Sequence, residues 1–186
     1  ADDLARGGRV VGLVTLDGAA RALTRIDTER FAVVVGPYRA THRMRDMMRV
    51  ERRAVRQAVV GLAPDLVHAH WCYEYALGAL ASGTPTLVTL RDWIPAILRY
   101  TEPQYLPYWS GRALMYGATL ACARYLTANS PYMADKVRHF TRGTVEIVPN
   151  GLPDTVFECA GEGHSLEDRP ATPIFVSVNN GFSRWK

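Results

Sequence analysis

The sequence predicts an α/β fold, a mainly parallel sheet flanked by helices. Three observations carry this. Short runs rich in Val, Ile, Leu and Thr recur along the chain. Segments with apolar residues at three-to-four spacing separate them, so strand and helix alternate. Polar residues follow the strand-like runs one after another, as in open α/β sheets, where ligands meet the carboxyl ends of the strands.

Arg9–Leu16 (RVVGLVTL) reads as a strand buried on both faces, because its run is mostly apolar and does not alternate. Phe31–Gly36 (FAVVVG) is a second strand. Residues 41–62 read as one helix. Met44, Met47, Met48, Val55, Ala58, Val59 and Leu62 follow the helical spacing, and Pro64 ends it. Arg43, Arg45, Arg49, Arg52, Arg53 and Arg56 fill the remaining positions. Asp65–His70 is a third strand, EYALGALAS a helix stopped by Gly83, and Thr84–Leu90 a fourth strand. The aromatic-rich stretch from Trp93 to Arg124 reads as helix, loop and helix. Tyr125–Ser130 is a fifth strand. Ser130 then caps a helix with Pro131 at its first position, and TVEIV is a sixth strand. The polar stretch 159–172, with Gly161, Gly163 and Pro170, reads as a linker. The run from Pro173 to Val178 begins another strand.

Bulk properties narrow the class. A chain of 186 residues holds one domain with a sizeable core, or one domain and the edge of another. With 48% hydrophobic and 22% charged residues it reads as globular and soluble. No run approaches the roughly 20 apolar residues of a membrane span. Ala1-Asp2-Asp3 is acidic and no apolar leader follows. Of the 22 basic residues only Lys136 and Lys186 are lysines, and the net charge is +4. That permits phosphates, anionic lipid or nucleic acid as partners and selects none of them. Cys72, Cys122 and Cys159 have no zinc spacing and fit free thiols in a reducing compartment, with Cys122 as a small core residue.

The strand ends hold Asp17-Gly18, His70-Trp71, Arg91-Asp92, Ser130 and Asn150-Gly151. His68 and His70 share one strand face. They read either as a metal pair lacking a third ligand, or as one hydrogen-bonded core histidine and one at the strand end. Arg91-Asp92 is either a local ion pair or a substrate contact. Tyr100, Tyr105, Tyr108, Trp109 and Tyr116 suit stacking on sugars or bases, and equally suit packing a loop onto the core. The arginine-rich helix is either a solvated face or a surface for anionic membrane or nucleic acid. Nucleic acid is not favoured, since residues 41–62 hold no aromatic side chain for base stacking. No GxxxxGK, no GxGxxG after a strand, no HExxH and no GxSxG occurs, which argues against P-loop NTPases, dinucleotide oxidoreductases of the usual type, zincins and α/β-hydrolases.

Three segments together carry a resemblance. DLVHAHWCYEYALGALASGTPTLVTLRDW is similar to a strand–helix–strand unit of the retaining GT-B glycosyltransferases called family 4. LTANSPYMADKVRHF and VEIVPNGLPDTVF resemble that family's NS and PNG signature, with Phe157 at the matching distance from Asn150. PIFVSVNNGFSRWK is similar to the first strand of its second domain and the approach to a lysine. The resemblance implies a Rossmann-like amino-terminal, acceptor-side domain over 1–158, a linker over 159–172 and the first strand of a second domain over 173–186. It implies transfer of a sugar from a nucleotide-sugar donor to a saccharide or lipid-linked acceptor with retention, as in building surface polysaccharide or glycolipid. No cofactor or metal is expected. The location implied is cytoplasmic, with peripheral attachment to the inner membrane face.

Carried over residue by residue, Arg91 stands where the family often has His, and Asp92 is kept as the catalytic-side carboxylate. His70, Ser130, Asn150 and Gly151 become substrate-binding candidates, and Arg184 and Lys186 candidates for the donor phosphates. Arg91 cannot exchange a proton as His does, but it can pair with a phosphate or carboxylate. DDLARGGRVVGLVT resembles the end of the family's first helix and its second strand. A first strand is then expected before Ala1, the donor domain beyond Lys186, and no transfer by this chain alone. The rival expectation makes Arg9–Leu16 the first strand, lying between Phe31–Gly36 and Asp65–His70, with a short helix at Ala19–Ile26.

Overall fold

The computed structural model describes residues 10–29 and 31–151. The expected linker, the second-domain strand, Phe157, Arg184 and Lys186 lie outside those residues. Within the described residues seven strands and five α-helices form, named here in chain order. They are β1 (Val11–Asp17), β2 (Thr24–Asp27), β3 (Phe31–Pro37), α1 (Arg49–Leu62), β4 (Val67–His70), α2 (Glu74–Leu80), β5 (Thr86–Leu90), α3 (Ile94–Tyr100), α4 (Leu106–Cys122), β6 (Tyr125–Ala128), α5 (Pro131–Arg138) and β7 (Thr144–Ile147).

The α/β class is confirmed. β4, β5, β6 and β7 make a four-stranded, wholly parallel sheet in that order. The core lies on it. Val88, Leu90, Leu126 and Ala128 on the strands meet Tyr73, Ala76, Ile94, Met115, Leu120, Met133 and Val137 from the helices. Each large apolar side chain fully buried there stabilises the fold by about 1.5–3 kcal/mol. Ser130 caps α5 as its sequence predicts: Met133 N–H donates to Ser130 Oγ at 3.3 Å, and Pro131 occupies the first turn.

A second sheet holds three strands in the order β1-β3-β2. β1 runs parallel to β3, and β2 antiparallel to it. Two expectations fail here. Arg9–Leu16 does not lie between Phe31–Gly36 and Asp65–His70, because β1 pairs with β3 alone and β4 with β5 alone. Among the described residues both are edge strands. The apolar run of β1 is accordingly not buried on both faces, and Leu13 is 56% exposed. Nor is there a helix at Ala19–Ile26. Thr24 and Ile26 alternate with Arg25 and Asp27, whose side chains share a face and pair at 2.8 Å. Thr28 N–H donates to the Phe31 carbonyl at 2.7 Å and closes the turn into β3.

The arginine-rich segment is not one helix. A short 3-10 turn (Arg43–Asp46) precedes α1, and Met47 and Met48 between them are left-handed, with φ of 54° and 56°. Such backbone costs energy for side chains of this size and persists only when its surroundings fix it. Here the guanidinium of Arg39 fixes it, bridging Asp46 at 2.7 Å and the wholly buried Glu51 at 2.7 Å. The Arg39 N–H also donates to Glu51, and Asp46 accepts from the Arg49 N–H at the start of α1.

α1 packs on β1, β3 and α2, and so joins the two sheets. Gly78 permits the approach: a Cβ there would stand 2.6 Å from Val55 Cβ and 2.8 Å from the Arg52 carbonyl oxygen. Tyr75 adds a tie, its hydroxyl accepting from the Leu16 N–H at 3.2 Å. Cys122 is exposed rather than core, because Leu120 and Ala123 take the buried side at the end of α4. Cys72 is the buried free thiol.

Candidate functional site

Parallel pairing sends the carboxyl ends of β4 to β7 to one edge of the sheet. His70 ends β4 and Trp71 follows it, Arg91 and Asp92 follow β5, Ser130 lies two residues beyond β6, and Asn150 and Gly151 lie exposed beyond β7. Asp17 ends β1 in the other sheet. Trp71 sits in left-handed backbone with φ of 66° and is 45% exposed; its N–H donates to the Thr89 carbonyl at 3.0 Å.

Asp92 is held from behind. Its carboxylate accepts from the hydroxyl of the buried Tyr73 at 3.1 Å. The guanidinium of Arg112 lies 3.5 Å from the centre of the Tyr73 ring and donates to the Tyr108 hydroxyl at 2.7 Å. Arg43 donates to the same hydroxyl at 2.9 Å and stacks on Tyr38 at 4.4 Å. A chain of alternating rings and guanidinium groups thus runs from Tyr38 on the far loop to Asp92.

The electrostatics keep this chain fixed. Burial, then the Asp92 charge, pushes the Tyr73 phenol up, so it stays protonated and donates. Burial disfavours charge on Arg112, but its interactions with Tyr73, Tyr108 and Glu74 outweigh this and hold its pKa above the ordinary value. Burial, then Asp92, also pushes up the Cys72 thiol, which excludes it as a thiolate nucleophile. Tyr116 is shifted upward by burial and by Cys72, Tyr73 and Asp92. Among the described residues, Tyr116 Oη, Glu74 Oε2 and Arg112 Nε are buried without a hydrogen-bond partner.

His68 and His70 sit with ring centroids 4.4 Å apart. His68 Nε2 and Thr89 Oγ1 are 2.6 Å apart, and Thr89 Oγ1 lies 2.7 Å from Thr127 Oγ1. The hydrogen-bonded histidine of the sequence reading is therefore His68, but it is exposed at the open edge of β4 rather than in the core. Partial burial, then the Arg91 charge, lowers the His68 pKa; burial, His68 and Arg91 lower that of His70. Among the described residues no group of three His, Cys, Asp or Glu could hold a metal ion.

The structure brings His70, Arg91 and Asp92 together at neighbouring strand ends. It engages the Ser130 oxygen as a helix cap, whose own O–H remains able to donate. Three of the six arginines are not free at the surface. Arg43 is tied into the ring chain, Arg52 Nε is buried without a partner, and Arg56 donates to the Ala81 carbonyl at 3.0 Å. Sequence reasoning missed Tyr73, Glu74 and Arg112. A signal existed for Arg112: Tyr108, Arg112 and Tyr116 are spaced four apart, which stacks them along one side of α4.

The carboxyl edge of an open parallel sheet is where α/β domains meet their ligands, and here it presents a tyrosine-held carboxylate next in sequence to a guanidinium. The sequence model of the family described as Glycosyltransferase Family 4 matches residues 1–156. The chain belongs to that family and is a glycosyltransferase-type domain. No curated protein sequence matches it. Among the described residues no helix is long and apolar enough to cross a membrane.

Proposed function

We propose that this domain is the acceptor side of a transferase that moves a sugar from a nucleotide-sugar donor to a saccharide or lipid-linked acceptor with retention. The observation that supports it best is Asp92. It stands at the carboxyl end of β5, oriented by Tyr73, with Arg91 beside it and His70 at the next strand end. In this reading the Asp92 carboxylate receives hydrogen bonds from hydroxyl groups at the reacting end of the acceptor. Arg91 supplies fixed positive charge toward the phosphate or carboxylate of a ligand, since it keeps its proton. His70, Ser130, Asn150 and Gly151 line the same edge as substrate contacts. Arg184 and Lys186 take the donor phosphates. Catalysis is electrostatic and geometric, and needs donor-binding groups from the other side of a cleft.

The test uses the full-length protein with a panel of nucleotide sugars and with lipid and saccharide acceptors. Asp92→Asn is expected to lower kcat/KM for transfer at least about a hundredfold, roughly the contribution of one positioned catalytic group. Arg91→Ala is expected to weaken handling of an anionic substrate. Efficient transfer by residues 1–186 alone would overturn the acceptor-side reading. The alternative, a non-catalytic module binding nucleic acid or anionic membrane through Arg43, Arg45, Arg49, Arg52, Arg53 and Arg56, has less support, because Arg43 and Arg56 are hydrogen-bonded within the fold and the Nε of Arg52 is buried. The peripheral, cytoplasmic location rests on that same surface and shares its weaker support.

A further inference from the structure

A groove of about 520 Å³ is lined, among the described residues, by Trp93, Tyr132, Asp135, Lys136, His139 and Phe140. Pockets of this size hold small molecules. Trp93 directly follows Asp92 in sequence, so the groove and the carboxylate share one chain segment. Its other wall is the outer side of α5 and the residues just beyond it. Met133, Ala134 and Val137 face the core, which turns Tyr132, Lys136 and His139 outward. Tyr132 is 59% exposed and Phe140 63% exposed.

The lining identifies the occupant. Among the described residues it holds three aromatic rings, one acid, one amine and one imidazole, and no aliphatic side chain. A groove built for a hydrophobic helix or strand would carry Leu, Ile, Val or Met anchors. A groove built for a phosphate would gather several cations or backbone N–H groups without an acid, whereas here Asp135 stands among the lining with Lys136 and His139. Rings flanked by hydrogen-bonding side chains suit a pyranose, whose C–H face is apolar and whose rim is hydroxyl. Trp93 and Phe140 form the stacking wedge, with centroids 5.6 Å apart and planes inclined by 51°. Trp93 is braced by the edge of Tyr116 at 6.5 Å. Lys136 lies over the Tyr132 ring at 5.5 Å, so that ring serves as a side wall. Asp135 holds Arg138 only through an exposed 3.4 Å contact, which leaves its oxygens able to accept from hydroxyls.

We propose that this groove is a saccharide-binding subsite, and that the acceptor end presented to Asp92 belongs to a neutral sugar chain stacked between Trp93 and Phe140. The proposal rests on the acceptor-side reading and names its substrate class. Saturation-transfer NMR on the full-length protein, with maltose, cellobiose, lactose and diacetylchitobiose as probes, tests it directly. At least one disaccharide should receive saturation on its ring C–H protons. Phe140→Ser, at a side chain mostly in solvent, should weaken that binding about tenfold or more while the thermal midpoint stays unchanged. Trp93→Leu should weaken it as much. Absence of binding by all four disaccharides overturns the proposal, as does wild-type binding by Phe140→Ser. Transfer assays separate the two levels. If Asp92→Asn abolishes transfer but Phe140→Ser leaves the acceptor KM unchanged, the groove is wrong and the acceptor-side reading stands.

Discussion

Glu51 has no exposed surface, yet it carries a charge in the first turn of α1. Burial pushes its pKa up, but three hydrogen bonds from Arg39 outweigh that and hold it below the ordinary range. Its loss leaves Arg39 with Asp46 alone. Glu51→Ala should therefore cost about 3 kcal/mol, the low end for breaking a buried ion pair, read from the urea midpoint. Tyr73→Phe removes the one described hydrogen bond to Asp92 and keeps the ring under Arg112. We expect a loss of about 1.5 kcal/mol, typical of a bond to a charged acceptor, together with a larger fall in transfer activity than in stability. If activity falls no further than stability, Tyr73 packs and does not orient Asp92. The place of Asp92 just beyond a strand end was legible from the apolar run before it. Its support was not, because Tyr73 and Arg112 lie 19 residues before and 20 after it and meet only through α2 and α4.

At the scale of elements, local chemistry in the sequence was a sound guide where the signal was local. Ser130-Pro131 marked the start of α5, and the β-branched runs marked β3, β5 and β6. Ser130→Ala should lower stability by about 1 kcal/mol, as for other capping residues, measured by thermal or urea unfolding. Gly78→Ala should cost about 1–3 kcal/mol as an overpacked contact, because its new methyl meets Val55 and the Arg52 carbonyl. No loss there would mean that α1 and α2 shift apart freely. The single helix expected over residues 41–62 failed for a non-local reason. Arg39 lies outside that window, and its two carboxylate partners bend the chain into left-handed turns that periodicity cannot register. The expected helix at Ala19–Ile26 failed similarly, since the edge of β3 is what recruits Thr24–Asp27 as a strand.

For the whole molecule, fold class was readable and sheet connectivity was not. A run such as VGLVTL looks the same in the centre of a sheet and at its edge; only the neighbours decide. The pH response is also a property of the assembled sheet. His68 and His70 have folded pKa values below their ordinary 6.5. The unfolded chain therefore binds protons more readily between the folded and unfolded values, and stability rises with pH through that window. Melting at pH 7.5 should exceed that at pH 5.5, and the His68→Gln, His70→Gln double variant should flatten the difference. An unchanged slope would place the pH sensitivity elsewhere.

The open side of β1 has a consequence for isotope exchange. The Leu16 N–H turns toward Tyr75 rather than β3, while the Asp17 carbonyl accepts from Tyr38 on the β3 side. Because a strand alternates, the Gly12 and Val14 amides point the same way as Leu16, and those of Leu13 and Thr15 point to β3. In deuterated solvent the amides of Leu13 and Thr15 should exchange slowly and those of Gly12 and Val14 fast, with Leu16 between. A strand whose amides exchange with a period of two has one neighbour; uniform slow exchange would reveal a second.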